Sequence, residues 1–125
     1  MNKVFLSDLL PVKATRTYKN LKAILDEWNV ETSFIYGTKD IWCRGFMPIQ
    51  AGIGRFQSYK YSPDYLVDNK EYGLMTDGAP LLCDMGMPVE NMLLNVILDG
   101  GNVVRCGSKV AMTAKVLAVT SMSQN

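Results

Sequence analysis

The chain has 125 residues, 48% hydrophobic and 20% charged, an ordinary globular composition that excludes a disordered chain and allows one domain burying roughly two thirds of its unfolded surface. Its 13 basic and 12 acidic residues leave a net charge of +1, with no basic stripe of the kind that meets nucleic acid or an anionic membrane surface. It contains no histidine, so neither the usual general base for a Ser or Cys nucleophile nor the commonest neutral metal ligand is supplied by these residues.

Lys3 to Leu6 predicts a short strand and Ser7 to Pro11 the loop leaving it. Only Val4, Phe5 and Leu6 precede the polar Ser7 and Asp8, so no secretory apolar region is expected, and no apolar run reaches the length of a membrane span. From Thr15 to Trp28, Tyr18, Leu21, Ile24, Leu25 and Trp28 recur at steps of three and four, while Arg16, Lys19, Lys22 and Asp26 take the other faces. That spacing predicts an amphipathic helix, closed by Asn29. Val30 to Tyr36 is β-branched and aromatic and ends at Gly37, giving strand, helix, strand with short connections. The arrangement favours a parallel pair and an α/β or α+β chain.

Thr38 to Gln50 reads as a polar loop that leads into apolar residues, with Trp42, Arg44 and Gly45 at its centre. Phe46 to Gln50 and Arg55 to Tyr61 are expected to form a hairpin through Ala51, Gly52, Ile53 and Gly54. The second of these strands is more polar than a buried one, so one face is expected to see solvent or a ligand cleft. Gly52-Ile53-Gly54 is not a dinucleotide fingerprint, because the third glycine is missing and a polar strand follows in place of a helix. Asp77 is placed to cap a helix through Cys83 and Met85, stopped by Gly86 and Pro88. Met92 to Leu98 predicts a buried strand, Asp99 to Asn102 a turn, and Val103 to Thr113 a hairpin about Gly107-Ser108; residues 114–125 are expected to be an irregular tail.

Three clusters could carry chemistry. Asp99, at the end of an apolar strand and beside Gly100 and Gly101, could grip a guanidinium or an amine, although Asp-Gly and Gly-Asn are also simply favoured turn residues. Trp42 could stack on a flat cation or pack as core, and Asp40, Arg44 and Lys39 could bind or could form a solvated ion-pair loop. Cys43, Cys83 and Cys106 are odd in number and widely spaced, which argues for a reducing cytoplasm, no disulfide framework and no zinc site. A thiol nucleophile needs a depressed pKa, and Cys43 has a cation beside it in sequence, Arg44.

Taken together, Phe5 to Pro11, Thr38 to Arg44, Met47 to Gln50 and Ile97 to Val104 resemble the N-terminal part of the agmatine deiminase and bacterial peptidylarginine deiminase family. The resemblance covers most of the chain to about Thr113. It implies a five-bladed α/β propeller, pentein-like, of which these residues would form one blade and part of a second: a mixed sheet with flanking helices, in a single partial domain over residues 1–125. It implies hydrolysis of a guanidinium to a ureido group and ammonia without a cofactor or metal, through a cysteine thiolate, a histidine acid–base and two carboxylates that hold the guanidinium nitrogens. Trp42, Arg44, Asp99 and Asn102 would be the substrate-binding residues. Asp99 is one of the two carboxylates; the other should stand at position 45, where this sequence has Gly45. No histidine is present, and no cysteine lies where the family's C-terminal nucleophile would. The expectation is a truncated family member inactive on its own, with no catalytic residue among those named. Its ligand would be a small guanidino compound or peptidylarginine. The alternatives are a noncatalytic guanidino or amine-binding module, and a structural fragment that associates with itself or another chain through uncovered blade edges.

Overall fold

The computed structural model describes residues 3–91, 97 and 99–114, which form a mixed α/β chain. It divides into two compact units, the boundary falling between Cys43 and Arg44. Most of the strand expected over Met92 to Leu98 and the tail from 115 lie outside the described residues.

In the first unit, β1 (Lys3–Ser7) and β2 (Glu31–Ile35) pair in parallel, from Lys3 opposite Glu31 to Ser7 opposite Ile35. Parallel neighbours need a crossover connection, and α2 (Thr15–Glu27) provides it. A single turn, α1 (Leu10–Lys13), precedes it. The loop expected over Ser7 to Pro11 therefore gives way to helix at Leu10. Pro11 lies within the first turn, where its missing N–H forfeits no intrahelical bond. Tyr18 of α2 meets Phe34 of β2 with ring centroids 5.9 Å apart, which fixes the helix on the sheet.

The apolar stripe of α2 is only partly covered. Tyr18, Leu21 and Leu25 are half-buried, but Ile24 is 55% and Trp28 74% exposed, so neither is core. The physical reason is width: two strands about 4.8 Å apart are narrower than a helix roughly 10 Å across, and the margin of the stripe stays in water. The helix ends as its sequence indicates. Asn29 takes a left-handed φ of 53°, its N–H bonds the Asp26 carbonyl at 3.0 Å, and Val30 N–H reaches back to Leu25 at 2.8 Å, the reciprocal pattern that satisfies the last free carbonyls of a helix.

The C-terminal ends of β1 and β2 are tied by side chains. The hydroxyls of Ser7, which is 1% exposed, and Thr38 lie 2.6 Å apart. Thr38 donates to Asp8 Oδ1 at 2.6 Å, and the Leu9 N–H donates to Ser7 Oγ at 3.1 Å. Among the described residues, no buried side-chain nitrogen or oxygen lacks a partner.

The second unit holds a three-stranded mixed sheet and a separate hairpin. β3 (Ile49–Gly52) and β4 (Arg55–Ser58) are antiparallel about Ile53-Gly54, so the expected hairpin forms with different bounds. Phe46 lies in a helical turn, the first strand runs on through Ala51 and Gly52, and the second stops at Ser58, short of Tyr61. β5 (Val89–Asn91) lies parallel to β4. β5 is a strand the sequence did not announce. The crossover between β4 and β5 carries α4 (Asp64–Asp68), a 3-10 turn at Tyr72–Leu74 and α5 (Gly78–Asp84). Asp77 caps α5 as expected, its Oδ1 accepting the Ala79 N–H at 3.2 Å. Ile97 makes an isolated parallel bridge to Lys60 and is 40% exposed, where a buried strand was expected. β6 (Val104–Cys106) and β7 (Lys109–Ala111) pair about Gly107-Ser108, with Gly107 at a φ of 62°. Phe46, Leu66, Leu82 and Val103 are the buried apolar side chains described in this unit.

Candidate functional site

The expected central loop contains a single helical turn, α3 (Cys43–Phe46). Its backbone is held from two sides within the second unit. The Tyr59 hydroxyl reaches the carbonyl oxygens of Gly45, at 2.5 Å, and Met47, at 3.1 Å. The Arg44 guanidinium donates through Nη2 to the Val103 carbonyl at 2.7 Å. Arg44 thus links the turn carrying Gly45 to the segment that follows Asp99–Asn102, a structural task that the sequence left undetermined.

Asp99 sits at the start of a 3-10 turn (Gly100–Asn102). Its Oδ1 accepts the Gly101 N–H at 2.9 Å, and its carbonyl accepts the Asn102 N–H, also at 2.9 Å. These local bonds fit a turn, and they also fix the carboxylate beside Gly45. A β-carbon built on buried Gly45 would stand 3.2 Å from Asp99 Oδ1, and 3.2 and 3.3 Å from Cε2 and the hydroxyl of Tyr61. Position 45 and Asp99, singled out from separate stretches of sequence, are therefore direct neighbours. Asn102 is exposed. Trp42 belongs to the first unit and is 62% exposed, so it is not core.

Three residues around this point were not named from sequence. Tyr61 borders the Gly45 position, bonds its hydroxyl to that of Tyr65 at 3.0 Å, and packs edge-on to Phe46 with centroids 6.0 Å apart. Tyr59 holds the turn from below. Gly78 opens α5 where it meets Phe46 to Pro48: a β-carbon there would lie 2.4 Å from the Phe46 oxygen, 2.9 Å from Met47 Cα and 3.0 Å from Pro48 Cδ. The alternation of Tyr59 and Tyr61 on one side of a polar strand was the available signal. A cavity of about 220 Å³ adjoins, walled by Phe46, Tyr59, Tyr61, Lys60, Asp77 and Gly78 among others. Among the described residues no cluster of three or more His, Cys, Asp or Glu could hold a metal ion.

Cys43 does not have the character of a nucleophile. Burial pushes its thiol from the ordinary 9.0 up to about 11, and the carboxylates of Asp8 and Asp40 push the same way against hydrogen bonds from the backbone of Cys43 and Ser7. Cys83 and Cys106 are exposed. Iodoacetamide at neutral pH is therefore expected to label Cys83 and Cys106 and leave Cys43 largely unmodified, which peptide mass mapping over a pH series reads directly. Because the folded thiol holds its proton more tightly than the unfolded one, its contribution to stability is full below pH 9.0 and is lost as pH rises through about 11. Labelling of Cys43 as fast as the two exposed cysteines at pH 7 contradicts this.

No protein-family model, curated protein or solved structure matches this chain.

Proposed function

We propose that the second unit carries the guanidinium-holding part of a deiminase site of the agmatine and peptidylarginine deiminase type, reduced to one carboxylate. The observation that supports this reading is the 3.2 Å approach of the Gly45 β-carbon position to Asp99 Oδ1. Two carboxylates at these positions could take the nitrogens of one guanidinium between them, which is what the resembling family's reaction needs. Here Asp99 remains, Arg44 and Asn102 frame the two turns, and Gly45 withholds the second carboxylate.

The chain's own role is holding a guanidino compound and not converting it. The reaction needs a thiolate aimed at the guanidinium carbon and an acid–base group to move protons to ammonia and from water. These 125 residues hold no histidine, and burial disfavours the Cys43 thiolate. On this reading the parallel β1–β2 pair with α2 and the mixed sheet are one blade and part of the next of a five-bladed propeller. A second chain with the remaining blades, or self-association through open strand edges, would complete the sheets. A reducing cytoplasm suits three cysteines that are all free.

Calorimetric titration with agmatine tests the reading. Binding in the millimolar range or tighter is expected, and Asp99→Asn should weaken it about tenfold or more, since a hydrogen bond to a charged group contributes roughly 1.5–3 kcal/mol. No heat at millimolar agmatine, or an Asp99→Asn variant that binds like the parent, defeats it. Ammonia release by the purified chain would overturn the noncatalytic assignment.

A further inference from the structure

We infer that the cavity beside Tyr59 is a second binding site, independent of the guanidinium reading above, and that it takes the zwitterion of an α-amino acid with a flat apolar side chain. Neither Gly45 nor Asp99 lines it. At about 220 Å³ it has room for roughly seven waters at ~30 Å³ each, more than a bare ion needs. It is smaller than the roughly 300–1,000 Å³ of drug-sized sites, so it suits a small metabolite. Its walls supply three kinds of group. Phe46, Tyr59 and Tyr61 are aromatic, and Pro48 adds an apolar ring. Phe46 is 3% exposed and Tyr61 packs edge-on to it, so this part is fixed before a ligand arrives and suits a ring lying offset or edge-on. Lys60 brings a cation and Asp77 an anion to the same cavity. β4 ends at Ser58, which releases the chain beyond it from strict alternation, and Lys60 borders the same space as Tyr59 and Tyr61.

The two charges share a cavity without pairing to each other. Ion pairs among the described residues join Lys3 to Glu31, Lys22 to Asp26 and Arg55 to Glu90. Asp77 uses Oδ1 to accept the Ala79 N–H, which fixes the carboxylate and leaves Oδ2 to a ligand. The Lys60 main chain is held by its bridge to Ile97, and its ammonium makes no ion pair among the described residues. An exposed charge needs no partner, but a cation and an anion on the wall of one cavity complement a single molecule that carries an ammonium and a carboxylate. A ligand with cations alone would gain at Asp77 and be repelled by Lys60; a simple carboxylate would meet the opposite balance. The zwitterion satisfies both, and its side chain then lies against the aromatic walls.

The test is calorimetric titration of the whole chain at neutral pH with phenylalanine, with phenethylamine, which lacks the carboxylate, and with 3-phenylpropionate, which lacks the ammonium. Phenylalanine is expected to bind in the millimolar range and each analogue about threefold to tenfold more weakly, between the effects of an exposed ion pair and a charge-assisted hydrogen bond. Lys60→Gln should lose the preference for phenylalanine over phenethylamine and keep the preference over 3-phenylpropionate. Asp77→Asn should do the reverse, and asparagine still caps a helix, so α5 is retained. Circular dichroism and thermal melts check the fold of each variant. A purely structural role for either residue would shift all three ligands together. Glycine, a zwitterion without a ring, should bind about tenfold more weakly than phenylalanine, the effect of burying the aromatic side chain.

No phenylalanine binding at millimolar concentration overturns the inference. So do parent affinities that are equal for the three ligands, a result that decides the matter even where a variant fails to fold, and folded variants that leave both preferences unchanged. Equal affinity for glycine and phenylalanine removes the aromatic wall and with it the class of side chain. A chain that binds phenylalanine and not agmatine sustains this site and defeats the guanidinium reading; one that binds agmatine and not phenylalanine does the opposite.

Discussion

Gly45→Asp is expected to bind guanidinium about tenfold to a hundredfold more tightly than the parent, while being less stable than the parent without ligand. The new β-carbon would sit 3.2 Å from Asp99 Oδ1 and 3.2 Å from the Tyr61 ring, tight enough that the neighbours must give by a few tenths of an ångström. The added carboxylate then faces Asp99 across a short, partly buried gap, where like charges disfavour double ionisation. Its pKa in the folded state rises above its unfolded value. The sign follows from that: the variant's stability is fully present below the unfolded carboxylate pKa of about 3.9 and falls as pH rises through the folded value. A bound guanidinium reverses the penalty by pairing with both oxygens at once. The gain corresponds to a charge-assisted hydrogen bond of roughly 1.5–3 kcal/mol. Thermal melts over roughly pH 4 to 8, with and without methylguanidinium, and calorimetry at neutral pH measure both halves. Gly45→Asn serves as the uncharged control and should show no such pH dependence. An aspartate variant that binds no more tightly than the parent removes the case for a lost carboxylate. Ammonia release from Gly45→Asp is not expected, because these residues supply no histidine; turnover would refute the assignment of the chain as a holder only.

Gly78→Ala should destabilise the second unit strongly. The β-carbon would lie 2.4 Å from the Phe46 carbonyl oxygen and 2.9 Å from Met47 Cα. Both are backbone atoms of the segment that follows Gly45, and a main chain already anchored by Tyr59 at the Gly45 and Met47 carbonyls cannot swing aside. Either α5 lifts from that segment or the turn at Gly45 moves. Overpacking of this kind costs about 3 kcal/mol, read as a fall in the urea midpoint by circular dichroism. Guanidinium binding should weaken in the same variant. Gly73→Ala is the control, since nothing lies within 4 Å of its β-carbon position, and a surface change there should stay within about 0.5 kcal/mol. Equal midpoints for the two variants would show that α5 does not fix the site.

The fold was legible where the pattern is local and long. Five apolar residues at helical spacing announced α2, and Asn29 marked its end, where it takes the left-handed φ of 53°. Periodicity reports which face of a helix is apolar and not how wide its partner is, so the pattern does not reveal that Ile24 and Trp28 lie beyond the edge that a two-stranded sheet covers. α3 went unseen because four residues with a central glycine leave no period to detect. β5 went unseen because Val89, Glu90 and Asn91 carry one apolar side chain and owe their strand geometry to pairing with Phe56, Gln57 and Ser58. The candidate site divides in the same way. Asp99 and Gly45 could be singled out by their motifs, but their adjacency is a tertiary fact. Tyr61 had a local signal in its alternation with Tyr59, whereas Gly78 owes its importance to Phe46, Met47 and Pro48, distant in sequence, and no local pattern encodes that.

The division of the chain also decides which optical probe can see a ligand. Both tryptophans, Trp28 and Trp42, lie in the first unit and are largely in water. The second unit carries Tyr59, Tyr61, Tyr65 and Tyr72 and no indole. Tryptophan emission therefore follows the unfolding of the parallel pair and its helix, whereas occupancy beside Asp99 should register in tyrosine absorbance through Tyr61 and its hydroxyl partner Tyr65. A titration that leaves the emission spectrum flat can still be a titration to saturation.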